Sequence, residues 1–219
     1  MITFEDIKNN MEINTYIIKA DEVLDAIGFT EHSFAHVTHT AMRAGNILKV
    51  LNYPERMQEL SKIAGYMHDM GNIINRHDHA QSGAYMAFHI LTKMGMHPEE
   101  IATIIAAIGN HDEGTATPVN AVVSALILAD KTDVRRSRVK QKDLAQFDIH
   151  DRVNYAVEAA ETYFNSEHTE FTLDLVIDTS LTSVMSYFEI FLERMILCTK
   201  AAEKLNIKFA LIINQQKLL

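Results

Sequence analysis

Val119-Asn120-Ala121-Val122-Val123-Ser124-Ala125-Leu126-Ile127-Leu128-Ala129-Asp130 is apolar almost all round until its last residue. A helix with no polar face must be covered on every side, so this stretch predicts a helix inside a helical fold. Asp130 ends it. A carboxylate at the end of a buried helix is costly unless a cation or several donors meet it. The partners on offer are a metal ion, Lys131, or the arginines downstream.

Working outward, most of the chain reads as helix. Val37, Ala41, Ala44, Leu48 and Leu51 recur in alternating steps of four and three, as do Ala80, Ala84, Ala87, Leu91 and Met94 before Gly95. Pro54-Glu55 opens a helix that Gly71 closes, and Pro98-Glu99-Glu100 opens another with Ile101, Ile104, Ile105 and Ile108 inward. Residues 3–27 and 150–165 read as further helices. The last fifty residues change period. Phe171, Leu173, Leu175 and Ile177 alternate, as do Ile207, Phe209, Leu211 and Ile213, which predicts two half-buried strands. A helix with a seam at Leu181, Val184, Phe188, Phe191, Met195, Cys198, Ala202 and Leu205 joins them. The fold class is therefore mainly α, a helical bundle over residues 1–165 with a small C-terminal strand-helix-strand appendage over 166–219. Two strands alone are marginal in water, so they are expected to pair with another strand, as in a homodimer.

Bulk properties limit the function classes. The chain has 219 residues, which suits one domain with a small appendage, and 47% apolar residues, enough for a sizeable core. A net charge of −9 argues against general nucleic-acid binding. The lone Cys198 allows no internal disulfide and fits a reducing compartment. The first residues lack the order of a secretory signal, and no apolar run is long enough to span a bilayer. A cytoplasmic protein without membrane contact is expected.

Chemistry concentrates in histidines and carboxylates. Met67-His68-Asp69-Met70-Gly71-Asn72 sets an imidazole beside a carboxylate at a helix end, where neighbouring side chains can diverge and reach one ion. His36 lies about a quarter-turn from the centre of its helix's apolar stripe, whereas His39 lies nearly opposite it and faces water. His32, one turn earlier, reads as an outer or surface residue. His79 opens a helix, with Gly83 one turn on admitting a close neighbour and His77 as its rival. His111 falls in the polar turn Gly109-Asn110-His111-Asp112-Glu113-Gly114. Together with Asp130 these nitrogen and oxygen donors suit one or two divalent metals, among zinc, manganese, iron, cobalt and nickel. No thiolate takes part.

A basic run follows: Lys131, Arg135, Arg136, Arg138, Lys140 and Lys142, opposed only by Asp133. Arginine suits bidentate phosphate contact, so Arg135, Arg136 and Arg138 are candidate substrate-phosphate ligands. Arg76 and Lys131 are two more.

The order His36 … His68-Asp69 … His79 … His111 … Asp130 resembles the HD superfamily of metal-dependent phosphohydrolases over roughly residues 30–140. His36-Val37-Thr38-His39 is similar to that family's first histidine and its helix. His68-Asp69 is similar to its namesake pair, and Ala129-Asp130-Lys131-Thr132-Asp133 to its closing aspartate. The added His79 and His111 resemble members that hold two metals. The Gly-Tyr-Pro signature of the cyclic-dinucleotide branch is missing after the His-Asp pair.

The resemblance implies an HD-type helical bundle that hydrolyses a phosphate ester of a nucleotide or other small molecule with metal-activated water. It implies that His36, His68, Asp69 and Asp130 hold one ion, and that Asp69 bridges to a second held by His79 and His111. His68 and Asp69 are then the catalytic pair. The proton donor stays open among Asp133, His77 and Lys131. Two other readings stand beside it: a di-iron oxygenase on the same scaffold, and a metal-stabilised ligand-binding or signalling module without catalysis.

Overall fold

The structure, a computed structural model, describes residues 1–141 and 143–219; Lys142, the last of the basic run, lies outside the described residues. Side chains close the first helices. Thr3 caps α1 (Phe4–Lys8), and Asn10 accepts from two backbone N–H groups at the start of α2 (Met11–Ala26). Ser33 caps α3 (Phe34–Val50), and Pro54 precedes α4 (Glu55–Met67). Then come α5 (His79–Lys93), α6 (Pro98–Gly109), α7 (Ala121–Lys131), capped by Asn120, and α8 (Ile149–Ala156).

Helix α7 is the axis. Every side chain from Val122 to Lys131 is buried, as an all-round apolar sequence requires. Helices α3, α4 and α6 pack around it, with α1 on α4 and α5 on α6. A fourth side is closed by α9 (Val184–Lys204), whose seam buries Tyr187, Phe191, Met195 and Cys198.

The C-terminal sheet runs in the order β1 (Val157–Phe164), β2 (Glu170–Ile177), β3 (Lys208–Ile213), β4 (Gln216–Lys217). Strands β2 and β3 are parallel, with Phe171 opposite Phe209 and Leu173 opposite Leu211, and α9 makes the crossover between them. This is the expected strand-helix-strand unit. The outer pairs are antiparallel.

One expectation changes. The helix read over 150–165 ends at Ala156, and Val157–Phe164 is a strand. Its Ala and Glu residues favour helix, but pairing along all of β2 overrides that preference. The partner strand that the two tail strands needed is thus supplied within the chain. The apolar core runs continuously from α1 through α7 to the sheet. Among the described residues no helix is long and apolar enough to cross a membrane.

A close approach of backbones sets the middle of the fold. After α4 the chain makes a 3-10 turn (Met70–Ile73) that lies against the start of α5. A Cβ on Gly71 would fall 2.0 Å from the His79 carbonyl oxygen, and one on Gly83 would fall 3.1 Å from the His68 carbonyl oxygen. Only glycine lets these two segments meet. Their meeting brings His79 to the His-Asp pair.

Candidate metal centre

Helix ends supply the donors. His68 is the residue after α4, and Asp69 follows it with φ −94° and ψ 0°, outside the regular helix. His79 is the first residue of α5, His111 follows the end of α6, and Asp130 is the penultimate residue of α7. His36 sits in the first turn of α3. All six are buried, the four imidazoles to within 1% of complete exclusion.

Two groups form around one carboxylate. In the first, His36 Nε2 lies 3.3 Å from His68 Nε2, 3.5 Å from Asp69 Oδ2 and 3.3 Å from Asp130 Oδ1. His68 Nε2 lies 3.1 Å from Asp69 Oδ2 and 3.6 Å from Asp130 Oδ1. In the second, His79 Nε2 lies 3.2 Å from His111 Nε2, and the two stand 3.6 and 3.9 Å from the other oxygen of the same carboxylate, Asp69 Oδ1. Ligands about 2.1 Å from a common transition-metal ion are separated by similar spans. Asp69 therefore faces one group with each oxygen.

The imidazole tautomers follow from what each Nδ1 touches. Nδ1 of His68 lies 2.8 Å from Gly65 O, that of His79 3.0 Å from Arg76 O, and that of His111 2.6 Å from Ile108 O. A carbonyl can only accept, so each Nδ1 carries the proton and each Nε2 presents a lone pair inward. His36 Nδ1 donates in the same way to Asp133 Oδ2, at 2.7 Å. With both rings of a pair neutral, lone pairs would face each other at hydrogen-bond distance; a proton or a metal ion between them relieves the repulsion, and Arg76 Nη1 also stands 3.3 Å from His79 Nε2.

Electrostatics agree. Burial alone would lower both first-group imidazoles, yet Asp69 and Asp130 raise His68 to about 10 and, with Asp133, raise His36. Burial would also raise the two carboxylates. Instead His68 and His36 hold Asp69 well below the usual carboxylate range, and Lys131 with the same imidazoles does so for Asp130. His111 is pushed well down by burial and by His68 and Lys131 nearby, and burial lowers His79. The first group thus demands positive charge, and the second offers neutral imidazoles. The donor set fits one or two divalent ions.

A cavity of about 380 Å³ opens onto this centre. Asp69, His79, His111 and Asp130 form part of its wall, with Lys131, Arg76 and Arg138 around them. The basic run is therefore divided. Lys131 contacts Asp130 Oδ2 at 2.8 Å and Glu113 Oε2 at 3.0 Å. Arg138 is buried, bonded to the Asp133 and Glu31 carbonyls. Arg135 turns away from the cavity onto the Asp133 carboxylate, and Arg136 stacks on Tyr155. Lys140 pairs with Asp21.

Of the three candidate proton donors, only Lys131 lines the cavity. Asp133 sits behind His36, accepting from His36, His39 and Arg135. His77 is on the outside, its side chain 86% exposed. His39 is half-exposed but tied to Asp133 rather than free in water.

Among the cavity residues that the sequence did not single out as site residues are His32, His150, Glu113 and Arg194. His32 lies edge-on to His36, ring centroids 5.4 Å apart, with Nδ1 on Thr30 O. Its one-turn spacing from His36 was the available signal. Glu113 stood two residues past His111. Arg194 is a charge on the border of the α9 seam, and nothing local tied it to residues eighty positions earlier.

Comparisons with known proteins bear on this arrangement. The chain is 22% identical over 182 residues to an uncharacterized protein of Methanocaldococcus jannaschii, covering 72% of this chain and 70% of the relative. The crystal structure of a predicted HD superfamily hydrolase from an uncultured Thermotogales bacterium aligns at 24% identity and TM-score 0.45, over 57% of this chain and 67% of that one. The family model described as HD domain matches residues 31–152, more than half of the chain and every donor named above. The chain belongs to the HD domain family.

Proposed function

We propose that the protein is a metal-dependent phosphohydrolase that cleaves a phosphate ester of a small molecule with activated water. The observation that carries the reading is the set of four imidazoles whose Nδ1 protons are all engaged, so that four Nε2 lone pairs converge on the two oxygens of Asp69. His36, His68, Asp69 and Asp130 would hold one ion; Asp69, His79 and His111 would hold a second. A divalent ion there supplies acidification of a water molecule and neutralisation of charge on phosphoryl oxygens.

The chain's own residues do the rest. Asp133 fixes the His36 ring and its tautomer, and the Gly65, Arg76 and Ile108 carbonyls do the same for the other three. Lys131 has three N–H donors, of which Asp130 and Glu113 take two. The third, with Arg76 and Arg138, is available to phosphoryl oxygens. The wall formed by Ile27, Phe29 and Phe191 limits water around the bound ester.

The test is metal content after dialysis, followed by a panel of phosphomonoesters and nucleotides, with oxygen uptake recorded alongside. At least one equivalent of metal and hydrolysis of a panel member are expected. Both should be lost in His68→Ala while circular dichroism stays that of the wild type. A wild type without stoichiometric metal, or a His68→Ala variant that hydrolyses as well as the parent, overturns the reading.

A further inference from the structure

We infer that Arg194, brought to the cavity by the C-terminal strand-helix-strand unit, binds substrate and selects phosphate esters that carry a second anionic group. The inference rests on the metal-centre reading above. It begins with a row of alternating charges along one wall. Asp130 Oδ2 meets Lys131 Nζ at 2.8 Å, Lys131 meets Glu113 Oε2 at 3.0 Å, and Glu113 Oε1 meets Arg194 Nε. The first member faces the metal centre and the last stands on α9.

As it stands the row is balanced, two anions to two cations. Once Asp130 serves an ion, Glu113 is the one carboxylate of this row left to both Lys131 and Arg194, so the row itself carries unmatched positive charge, although Asp148, Asp151 and Glu193 also line the cavity. Arg194 is placed to use it. Its guanidinium carbon lies 4.7 Å from the centre of the Phe191 ring, which covers one face of the group. Its side chain keeps 27% exposure at the cavity wall. Among the described residues Nη1 and Nη2 make no hydrogen bond to another group, although a guanidinium offers five donors in a rigid fork. An open fork at a half-covered site matches the paired oxygens of a carboxylate or phosphoryl group.

A purely structural pin explains less. Glu113 already has Lys131, and α9 is already fastened by Tyr187, Phe191, Met195 and Cys198 in the core. Arg76 and Arg138 come from other elements, so Arg194 adds a separate anchoring point for the far end of the substrate.

The experiment measures binding to the full-length protein loaded with the metal it retains. The probes are sorbitol 6-phosphate, 6-phosphogluconate and glucose 1,6-bisphosphate, which carry no second anion, a carboxylate and a phosphoryl group respectively. Titration calorimetry should show wild type binding one of the two-anion probes about tenfold more tightly than sorbitol 6-phosphate, and which one gains identifies the group. Arg194→Gln should abolish most of that gain and Arg194→Lys should keep part of it, with metal content as in wild type and a melting temperature lower by only about 2–4 °C for the lost Phe191 stack and Glu113 pair. Equal affinities for the three probes in wild type, no binding of any, or an equal weakening of all three in Arg194→Gln overturns the inference. Failure of the metal-centre reading would register separately, as wild type without stoichiometric metal.

Discussion

Gly71→Ala tests how the fold builds the centre. The new Cβ would lie 2.0 Å from the His79 carbonyl oxygen, 2.5 Å from the Gly83 nitrogen and 2.7 Å from Ser82 Oγ. The Ser82 hydroxyl can rotate away, but the two backbone atoms cannot. Helix α5 must therefore withdraw from the 3-10 turn by more than an ångström before contact becomes ordinary. Overpacking of this kind costs about 1–3 kcal/mol, and backbone against backbone belongs at the upper end. For a chain of this length each kcal/mol lowers the melting temperature by about 2–4 °C, so a fall of roughly 6–12 °C is expected. The withdrawal also carries off His79, the first residue of α5, whose Nε2 stands 3.6 Å from Asp69 Oδ1 and 3.2 Å from His111 Nε2. Elemental analysis should show metal lost from the second group, while His36, His68 and Asp130 keep theirs. Gly114→Ala is the control, since its Cβ would find no atom nearer than 4.0 Å. A Gly71→Ala protein that melts with the wild type and holds the same metal would refute the reasoning.

Three further outcomes follow from the same geometry. Asp133→Asn replaces an acceptor for His36, His39 and Arg135 with an amide that must point N–H at one of them; metal affinity should fall roughly 10–100-fold in competition with a chromophoric chelator, and unchanged affinity would remove Asp133 from the centre. Arg136→Ala should cost about 1 kcal/mol in denaturant melts through loss of the Tyr155 stack without changing the KM of any phosphorylated substrate; a raised KM would put Arg136 in the cavity after all. In metal-free protein His68 is raised to about 10, so between pH 6.5 and 10 the folded state holds a proton that the unfolded chain releases. Stability should be fully present below pH 6.5 and fall as pH rises, by at most about 1.4 kcal/mol per unit. Metal should abolish that slope and release protons on binding, and a metal-free protein equally stable across that range would contradict the assignment.

Much of this was legible in the sequence, for reasons that differ residue by residue. The α7 stretch announced its burial because no polar face interrupts it, and a carboxylate closing such a helix had to find a cation. His36 was separable from His39 by angle alone, since both lie on a regular helix. The strand at Val157–Phe164 was not legible: its alanines and glutamates say helix, and only the non-local partner β2 makes it extended. The basic run misled in part for the same reason. Local charge density is visible in sequence, but whether Arg135 reaches a cavity or bends back to Asp133 two residues earlier depends on where the cavity wall lies. Arg194 was hidden altogether, since its partner Glu113 belongs to a turn between two other helices.

The position of the histidines at helix ends has a cause beyond convenience. The last carbonyls of a helix have no backbone N–H to meet. His68 and His111 each place Nδ1–H on the carbonyl three residues earlier, Gly65 in the last turn of α4 and Ile108 in the last turn of α6. One hydrogen bond thus satisfies a stranded carbonyl, fixes the tautomer and aims Nε2 away from the helix axis. His79 uses the Arg76 carbonyl at the same spacing, although it begins a helix rather than ending one. His36, inside a regular turn where the carbonyls are already engaged, has no such neighbour and depends on a side chain, Asp133, ninety-seven residues away. That difference predicts unequal sensitivity within one centre. Substitutions that leave the backbone alone can misorient His36 through Asp133, whereas the other three imidazoles take their Nδ1 anchors from backbone carbonyls and lose them when the chain itself moves, as at Gly71. Ring-orientation readouts, such as the histidine Nδ1–H resonances, should therefore shift in Asp133→Asn for His36 and for His39, which shares Asp133, but not for His68, His79 or His111. If those three moved together with His36, the imidazoles would be held by the ion rather than by their separate anchors, and the division drawn between them would be wrong.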